Sequence, residues 1–218
     1  MEISTNYITT PKTTRFATYG KPGPNTKYFW FCLHGSKMVC EQIVYKFSEF
    51  NPEEHYIVAP EGMHKLYSEG FGGAVVATWM TKRDRLKEIH DFSVYLSTLY
   101  KQESAKVSQA KRILFGFSQG GTTLFRWMHR EQIDADVLLG YSCWIPEDIN
   151  LKESKTILND IKKVYTYGKS DKFISEERIA MLKSIVSKNA LDMEILAFDG
   201  EHKIYKETLK ELFHAYVV

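Results

Sequence analysis

The chain has 218 residues, of which 44% are hydrophobic and 26% charged, and its formal net charge is +2. These values are typical of one soluble globular domain, which we expect to span residues 1–218. The sequence has no basic block, no zinc-ligand spacing and no apolar stretch of membrane-spanning length, so neither nucleic acid nor a transmembrane segment is expected. The first residues lack a signal-peptide pattern, and three unpaired cysteines favour a reducing, cytoplasmic location.

Hydrophobic patterning in the first half of the chain predicts strands that alternate with helices. Residues 2–19 suggest one or two edge strands, and residues 28–33 are apolar throughout, as expected of a central strand covered on both faces. The predicted elements that follow are a helix from Val39 to Phe50, a strand from His55 to Ala59, a loop from Glu61 to about Trp79, and a helix with the apolar face Leu86, Ile89, Phe92, Leu96 and Leu99.

The second half continues the same alternation. Its predicted strands cover residues 113–115, 136–141, 164–167 and 193–198, and helices are predicted around 122–130, 179–186 and 205–216. This order predicts an α/β fold with a mainly parallel sheet and helices on both faces. The segment between Tyr141 and Ile161 is too short for a cap domain, so we expect an open site.

One segment places a serine between a strand and a helix. Residues 116–120 read Gly-Phe-Ser-Gln-Gly and match the pattern G-x-S-x-G, directly after an apolar run and before the helical segment. The turn in this motif is too tight for side chains at its flanking positions, and glycines 116 and 120 relieve that crowding. We therefore expect Ser118 to stand at the carboxyl end of the sheet as a catalytic nucleophile.

An aspartate and a histidine follow the last two predicted strands. Asp171 lies beyond residues 164–167, and His202 lies beyond residues 193–198. The carboxyl ends of parallel strands share one edge of a sheet, so both can meet Ser118 there. An imidazole can take the serine proton near neutral pH, and a carboxylate can fix its tautomer. The sequence predicts a triad of Ser118, Asp171 and His202, with His64 as an alternative base and Asp148 as an alternative acid.

Further groups near the strand ends complete the predicted site. The backbone N–H groups of Ser36, after His34-Gly35, and of Gln119 are expected to form an oxyanion hole. Candidate substrate-binding side chains, each of which could instead pack a loop, are His34, Tyr67, Phe71, Trp79, Met80 and Trp144. No metal-ligand spacing and no glycine-rich nucleotide loop is present, so we expect no metal and no cofactor.

The chain resembles serine hydrolases of the α/β-hydrolase superfamily, and most of all the phospholipase/carboxylesterase group that includes acyl-protein thioesterases. The matching segments are residues 31–35, 116–121, 168–171 and 200–202, and residues 79–85 are similar to a segment of uncharacterised bacterial predicted esterases. This resemblance implies a carboxylesterase- or lysophospholipase-like enzyme that hydrolyses small carboxylic esters or thioesters without a cofactor. Ser36-Lys37-Met38 and the segment from Glu61 to Trp79 depart from the thioesterase-like pattern.

Several alternatives remain open at this stage. The same triad can cleave thioesters, lactones or peptide bonds, because these reactions share an acyl-enzyme and differ in the leaving group. A hydrolase-like protein that binds a ligand without catalysis is a second class, although such a protein has no need of all three triad residues. Acyl-chain length, the alcohol part of the substrate, the oligomeric state and the physiological pathway are not encoded in any pattern we find.

Overall fold

A computed structural model of the protein describes residue 1, residues 3–154 and residues 161–218. The strands are β1 Phe16–Tyr19, β2 Tyr28–Leu33, β3 His55–Pro60, β4 His64–Glu69, β5 Gly72–Thr78, β6 Lys111–Phe117, β7 Val137–Tyr141, β8 Lys162–Gly168 and β9 Met193–Phe198. The helices are α1 Cys40–Val44, α2 Arg85–Ser104, α3 Gln119–Glu131, α4 Glu176–Lys188 and α5 Lys206–Tyr216, with short 3₁₀ turns at Tyr45–Phe47 and Ala105–Val107.

Seven strands form the main sheet in the order β1-β3-β2-β6-β7-β8-β9. The edge strand β1 is antiparallel to β3, and every other pair is parallel. In the centre, β2 runs beside β6 from Tyr28 opposite Lys111 to Leu33 opposite Gly116. The carboxyl ends of six parallel strands therefore lie along one edge, where open α/β sheets bind their ligands. The predicted mainly parallel α/β sheet is confirmed.

Alternate residues of the central strands enter two separate hydrophobic cores, as the period of two in a strand requires. Phe29, Phe31 and Leu33 of β2 pack in the core that also holds residues of α2, α3 and α4. Trp30 and Cys32 face the other side, where α1 and α5 cover the sheet. Both faces are thus sealed, and this explains why β2 is apolar at nearly every position.

The segment from Glu61 to Trp79 is not the loop that the sequence suggested. It contains β4 and β5, which pair as an antiparallel two-stranded sheet with Tyr67 opposite Val75. Three glycines around Phe71 look like a loop in the sequence, but two of them, Gly70 and Gly73, adopt positive φ angles that turn the hairpin. The hairpin lies at the carboxyl edge of the main sheet, because Ala77 exchanges backbone hydrogen bonds with Lys37 and Met38, which follow β2.

The other predicted elements differ less from the observed ones. The segment 3–19 contains one strand, β1, and residue 2 lies outside the described residues. The predicted helix from Val39 to Phe50 is a five-residue α-helix continued by the 3₁₀ turn. The expected lack of a cap after Tyr141 concerns a segment of which residues 155–160 lie outside the described part. Among the described helices, none combines the length and hydropathy needed to span a bilayer.

Candidate active site

Ser118 occupies the sharp turn between β6 and α3. Its backbone angles, φ 53° and ψ −123°, lie in a region that L-residues rarely adopt. The Ser118 N–H donates to the carbonyl of Tyr141 on the neighbouring strand at 2.9 Å, and Thr122 and Gly121 donate back to the Ser118 carbonyl. These bonds hold the strained turn at the carboxyl end of the sheet, with the side chain only partly buried.

Glycine is required at both ends of this turn for packing. A Cβ at Gly116 would lie 2.5 Å from the Cα of Gly121, and a Cβ at Gly120 would lie 2.2 Å from the carbonyl oxygen of Leu33. Both distances are far below van der Waals contact. The start of α3 therefore lies directly against the end of β2, and this close approach brings the loop after β2 beside Ser118.

Three side chains from three strand ends form one hydrogen-bonded relay. His202 Nε2 lies 2.9 Å from Ser118 Oγ, and His202 Nδ1 lies 2.6 Å from Asp171 Oδ2. Because a carboxylate only accepts hydrogen bonds, Nδ1 carries the proton and Nε2 is free to accept the serine hydroxyl. The structure thus brings together all three residues of the predicted triad.

The acid and the imidazole are both held in place by their surroundings. The Asp171 side chain is fully buried, and its second oxygen accepts the Phe173 N–H at 2.9 Å. The His202 ring contacts two aromatic rings, with centroid distances of 4.9 Å to Phe117 and 4.8 Å to Phe173. An acid buried in this way orients the imidazole, and the rings restrict its rotation.

The alternative acid and the alternative base, Asp148 and His64, have other partners. Asp148 accepts two hydrogen bonds from the Arg126 guanidinium and lies 3.1 Å from Arg85. Burial alone would raise the pKa of Asp148, but the hydrogen bonds and charges of these arginines outweigh it and lower that pKa. His64 lies on β4 and faces Glu88 at 3.4 Å. Asp148 therefore forms ion pairs with Arg126 and Arg85.

The loop after β2 lies against Ser118. A Cβ at Gly35 would lie 3.2 Å from the Ser118 Cβ and 2.9 Å from the Phe117 ring, so a larger residue there would displace one of these side chains. The next residue, Ser36, is exposed, and the N–H of Lys37 donates to the Ala77 carbonyl at 2.9 Å. Ser36 is therefore fixed between a tight contact with the elbow and a backbone bond to the hairpin.

The Gln119 side chain fastens the start of α3 to the residues that follow β5. Its amide oxygen accepts hydrogen bonds from Thr78 Oγ1 at 2.7 Å and from the Trp79 N–H at 3.1 Å. Its amide nitrogen donates to the Met80 carbonyl at 3.0 Å. The sequence indicated only the backbone N–H of Gln119, and its spacing gave no sign of this side-chain role.

Two of the six candidate substrate-binding residues are fully buried. His34 donates from Nδ1 to the Gly35 carbonyl and accepts the Gly62 N–H at Nε2. Burial lowers the pKa of His34, which keeps the ring neutral for these two bonds. Trp79 donates from its indole nitrogen to the His34 carbonyl at 2.8 Å. Both side chains support the loop that carries Ser36, and neither has surface that a substrate can touch.

The other four candidates lie in different segments and differ in exposure. Met80 is nearly buried, and Trp144 is half-buried under the Arg178 guanidinium, 5.8 Å from its ring centroid. Tyr67 and Phe71 belong to the hairpin, where Phe71 is completely exposed. The structure therefore does not gather these four into one lining.

A groove of about 480 Å³ begins at the His202 imidazole and runs over α1. The lining residues nearest in sequence to Ser36, Ser118 and His202 include the apolar Met38, Phe117 and Ile204, and those on α1 and the following 3₁₀ turn are mostly polar. The lining residues are Met38, Glu41, Gln42, Tyr45, Lys46, Phe117, His202, Lys203 and Ile204. Sequence reasoning missed this groove, although Met38, Gln42, Tyr45 and Lys46 recur at the spacing of one helix face.

Three residues near the groove have the donor atoms of a metal site. Ligand atoms of Cys40, Glu41 and Glu61 all lie within 4.8 Å of one another. Burial, followed by the neighbouring glutamates, raises the pKa of Cys40 to about 12, so the thiol stays protonated and is a poor ligand. Glu41 pairs with Arg15, and Glu61 lies 3.1 Å from Lys65. Arg15 also lies 3.9 Å from Glu61, so these ion pairs join α1 to the residue that follows β3.

Solved structures with similar folds are enzymes and proteins of unknown function. Acyl-protein thioesterase 2 from Zea mays matches with a TM-score of 0.72 and 16% identity over 93% of this chain and 97% of that one. A carboxylesterase from Mesorhizobium loti matches with a TM-score of 0.72 and 15% identity over 93% and 94%. A protein of unknown function from Agrobacterium tumefaciens matches with a TM-score of 0.67 and 15% identity over 92% and 95%. At these identities the similarity shows the α/β-hydrolase fold alone.

No curated protein sequence matches this chain. The model of one protein family, described as phospholipase/carboxylesterase, matches residues 45–215, which is more than three quarters of the chain. The match covers the serine turn and both partners of the relay, together with most of the groove. The chain therefore belongs to the phospholipase/carboxylesterase family of hydrolases.

Proposed function

We propose that the protein hydrolyses small carboxylic esters through an acyl-enzyme formed on Ser118. The observation that supports this most is the unbroken relay from Ser118 Oγ to His202 Nε2 and from His202 Nδ1 to Asp171. A serine hydroxyl becomes a nucleophile when a base takes its proton as it attacks. Family membership makes an ester the natural substrate class for this arrangement.

In the first half of the reaction, Ser118 Oγ attacks the carbonyl carbon while its proton passes to His202 Nε2. The imidazolium that forms is stabilised by the buried Asp171 carboxylate, which stays ionised. His202 then gives the proton to the leaving oxygen, so that the alcohol departs neutral. The acyl group remains attached to Ser118 as an ester.

The negative charge on the carbonyl oxygen needs donors that are already in position. We assign this role to the backbone N–H groups of Ser36 and Gln119, which flank Ser118 on the two sides. The tight contact at Gly35 and the three hydrogen bonds of the Gln119 side chain support this assignment, because they fix both backbone segments before substrate binds.

Water completes the cycle by the same steps. His202 takes a proton from water as it attacks the acyl carbon, and returns it to Ser118 Oγ as the acid product leaves. A thioester can follow the same path with a thiol as leaving group. The similarity in fold to the Zea mays thioesterase makes thioester hydrolysis the second candidate, and paired oxygen and sulfur esters of one acyl group would separate the two.

A fluorophosphonate probe tests the nucleophile directly. We expect the wild-type protein to be labelled and to hydrolyse 4-nitrophenyl butyrate, and Ser118→Ala to lose both properties. Ser142→Ala is the matched control, since Ser142 is a buried serine in the loop after β7. Labelling that persists in Ser118→Ala would exclude this nucleophile, and a wild type that neither labels nor turns over would favour ligand binding without catalysis.

A further inference from the structure

The groove beside His202 lies on the leaving-group side of the proposed reaction. His202 Nε2 must protonate the departing atom, so the leaving group lies against the imidazole in the transition state. The imidazole is also one wall of the groove. An alcohol that departs from the acyl carbon therefore extends along the groove, toward α1 and the 3₁₀ turn.

The inner part of the groove is apolar. Met38, Phe117 and Ile204 line it, and each lies within two residues of a proposed catalytic or oxyanion residue. Apolar walls of this kind suit the carbon skeleton of an alcohol, and each buried methylene contributes about 0.8 kcal/mol. The first part of the leaving group is thus expected to be hydrocarbon or aromatic.

The outer part of the groove carries charge that is unevenly compensated. Glu41 pairs with Arg15, and Lys203 pairs with Glu201 at 2.8 Å, so both lining charges have a partner. Lys46 is half-buried in the lining, and among the residues that the structure describes no carboxylate lies within ion-pair distance of its ammonium. The groove therefore ends at one uncompensated positive charge.

The charges behind this wall add to the same potential. Lys206 and Lys210 both pair with the single carboxylate of Glu49. The Lys206 ammonium also lies 4.3 Å from the ring centroid of Tyr45, which is another lining residue. Two lysines on one glutamate leave a net positive charge near Tyr45, which precedes Lys46 in the chain, and a partly enclosed site strengthens its attraction for an anion.

We propose that the groove selects esters whose leaving group carries an anion, a carboxylate or a phosphate, at its far end, and that Lys46 determines this selectivity. This inference rests on the proposed hydrolase function. An apolar stem beside His202 and an anionic end at Lys46 match the two parts of the groove. Lys46 lies one helical turn beyond Gln42, about 6 Å along the axis, which leaves room for a benzoate-sized group.

Paired substrates measure this selectivity. We compare kcat/KM for 4-nitrophenyl butyrate with that for 3-carboxy-4-nitrophenyl butyrate, whose leaving group carries a carboxylate. Lys46→Gln is expected to lower the ratio of anionic to neutral ester about three- to tenfold, Lys46→Glu to lower it further, and Lys46→Arg to retain it. High salt should narrow the wild-type ratio, because it screens exposed charge.

Lys188→Gln is the matched control. Lys188 is an exposed lysine at the end of α4, and this substitution removes the same charge at the opposite edge of the sheet. It should leave the ratio unchanged. Inhibition of neutral-ester hydrolysis by benzoate, phenyl phosphate and benzyl alcohol then compares two anions with an uncharged group. We expect Lys46→Gln to weaken inhibition by one or both anions and to leave inhibition by benzyl alcohol unchanged.

The outcomes distinguish this inference from the proposed function. A ratio that stays within twofold in Lys46→Gln and Lys46→Glu, with the neutral ester still hydrolysed, overturns the anion selectivity and leaves the hydrolase intact. A fall in the ratio that Lys188→Gln reproduces also overturns it, because the effect would then come from net charge. Failure to hydrolyse either ester, together with no fluorophosphonate labelling, overturns both proposals.

Discussion

At the scale of single residues, the site depends on a serine held in a backbone conformation that few residues adopt. Holding Ser118 at positive φ costs on the order of 1–3 kcal/mol, which the surrounding structure must supply. It is supplied locally by the bond from the Ser118 N–H to Tyr141 and by the glycine contacts around the turn. The strain exposes the hydroxyl to His202 and leaves the first N–H groups of α3 facing the same point.

The roles of the two aspartates make a sharp prediction. Asp171→Asn keeps the size of the side chain but cannot stabilise the imidazolium, and it favours the wrong histidine tautomer, so we expect kcat to fall by about a thousandfold or more with KM nearly unchanged. Asp148→Asn weakens the contacts with Arg126 and Arg85 and should change kcat less than about tenfold. Steady-state kinetics on one aryl ester compares them, and the opposite ranking would mean that Asp148 is the acid.

The three relay residues were predictable because each lies within four residues of the end of a predicted strand, and parallel strands bring such positions to one edge. The arginine partners of Asp148 were not predictable in this way. Arg126 and Asp148 are separated by 22 positions, and their contact depends on how α3 packs beside the loop after β7. Short-range patterns carry no information on such a distance, so the sequence left Asp148 and Asp171 as rivals.

At the scale of elements, the end of β5 connects the two proposed oxyanion donors. Ala77 binds the backbone at Lys37, while the next three residues bind the Gln119 side chain. The indole of Trp79 adds a bond to the His34 carbonyl. The base of the hairpin therefore links the loop after β2 to the start of α3. It belongs to the segment from Glu61 to Trp79, which the sequence suggested was a loop.

Removing the Gln119 side chain should weaken this link while leaving the three triad residues unchanged. We expect Gln119→Ala to lower kcat about tenfold with little change in KM, because the backbone N–H stays but is held less firmly. Affinity for a trifluoromethyl ketone analogue should fall in parallel, since it forms the same oxyanion. Gln102→Ala, an exposed position on α2, is the control. Unchanged analogue affinity would show that the side chain has no part in positioning.

At the scale of the whole molecule, the class of fold was predictable from the sequence, but the hairpin and the groove were not. Alternating strands and helices predicted a parallel sheet with helices on both faces, and the two hydrophobic cores confirm it. The hairpin could not be predicted, because its strands carry a mixture of exposed polar and apolar residues in place of a clear alternation. The groove depends on α1 lying beside the loop of His202, a contact between distant parts of the chain that no local pattern encodes.

Two buried histidines should make the folded protein sensitive to mild acid. His55 is 4% exposed, accepts the Trp30 indole N–H at 3.1 Å, and burial lowers its pKa to about 4. Burial lowers the pKa of His34 as well. Above the unfolded pKa of about 6.5 neither histidine is protonated in either state, so stability is unaffected there. As the pH falls from about 6.5 toward 4, only the unfolded chain gains the His55 proton, so the free energy of unfolding declines. Below pH 4 the contribution of His55 no longer changes.

Urea unfolding at pH 7 and pH 4.5 should therefore show an extra loss of unfolding free energy, on the order of 2 kcal/mol, in the wild type compared with His55→Asn, whose amide oxygen can still accept from Trp30. Equal losses in the two proteins would mean that His55 is protonated as readily in the fold as in the unfolded chain.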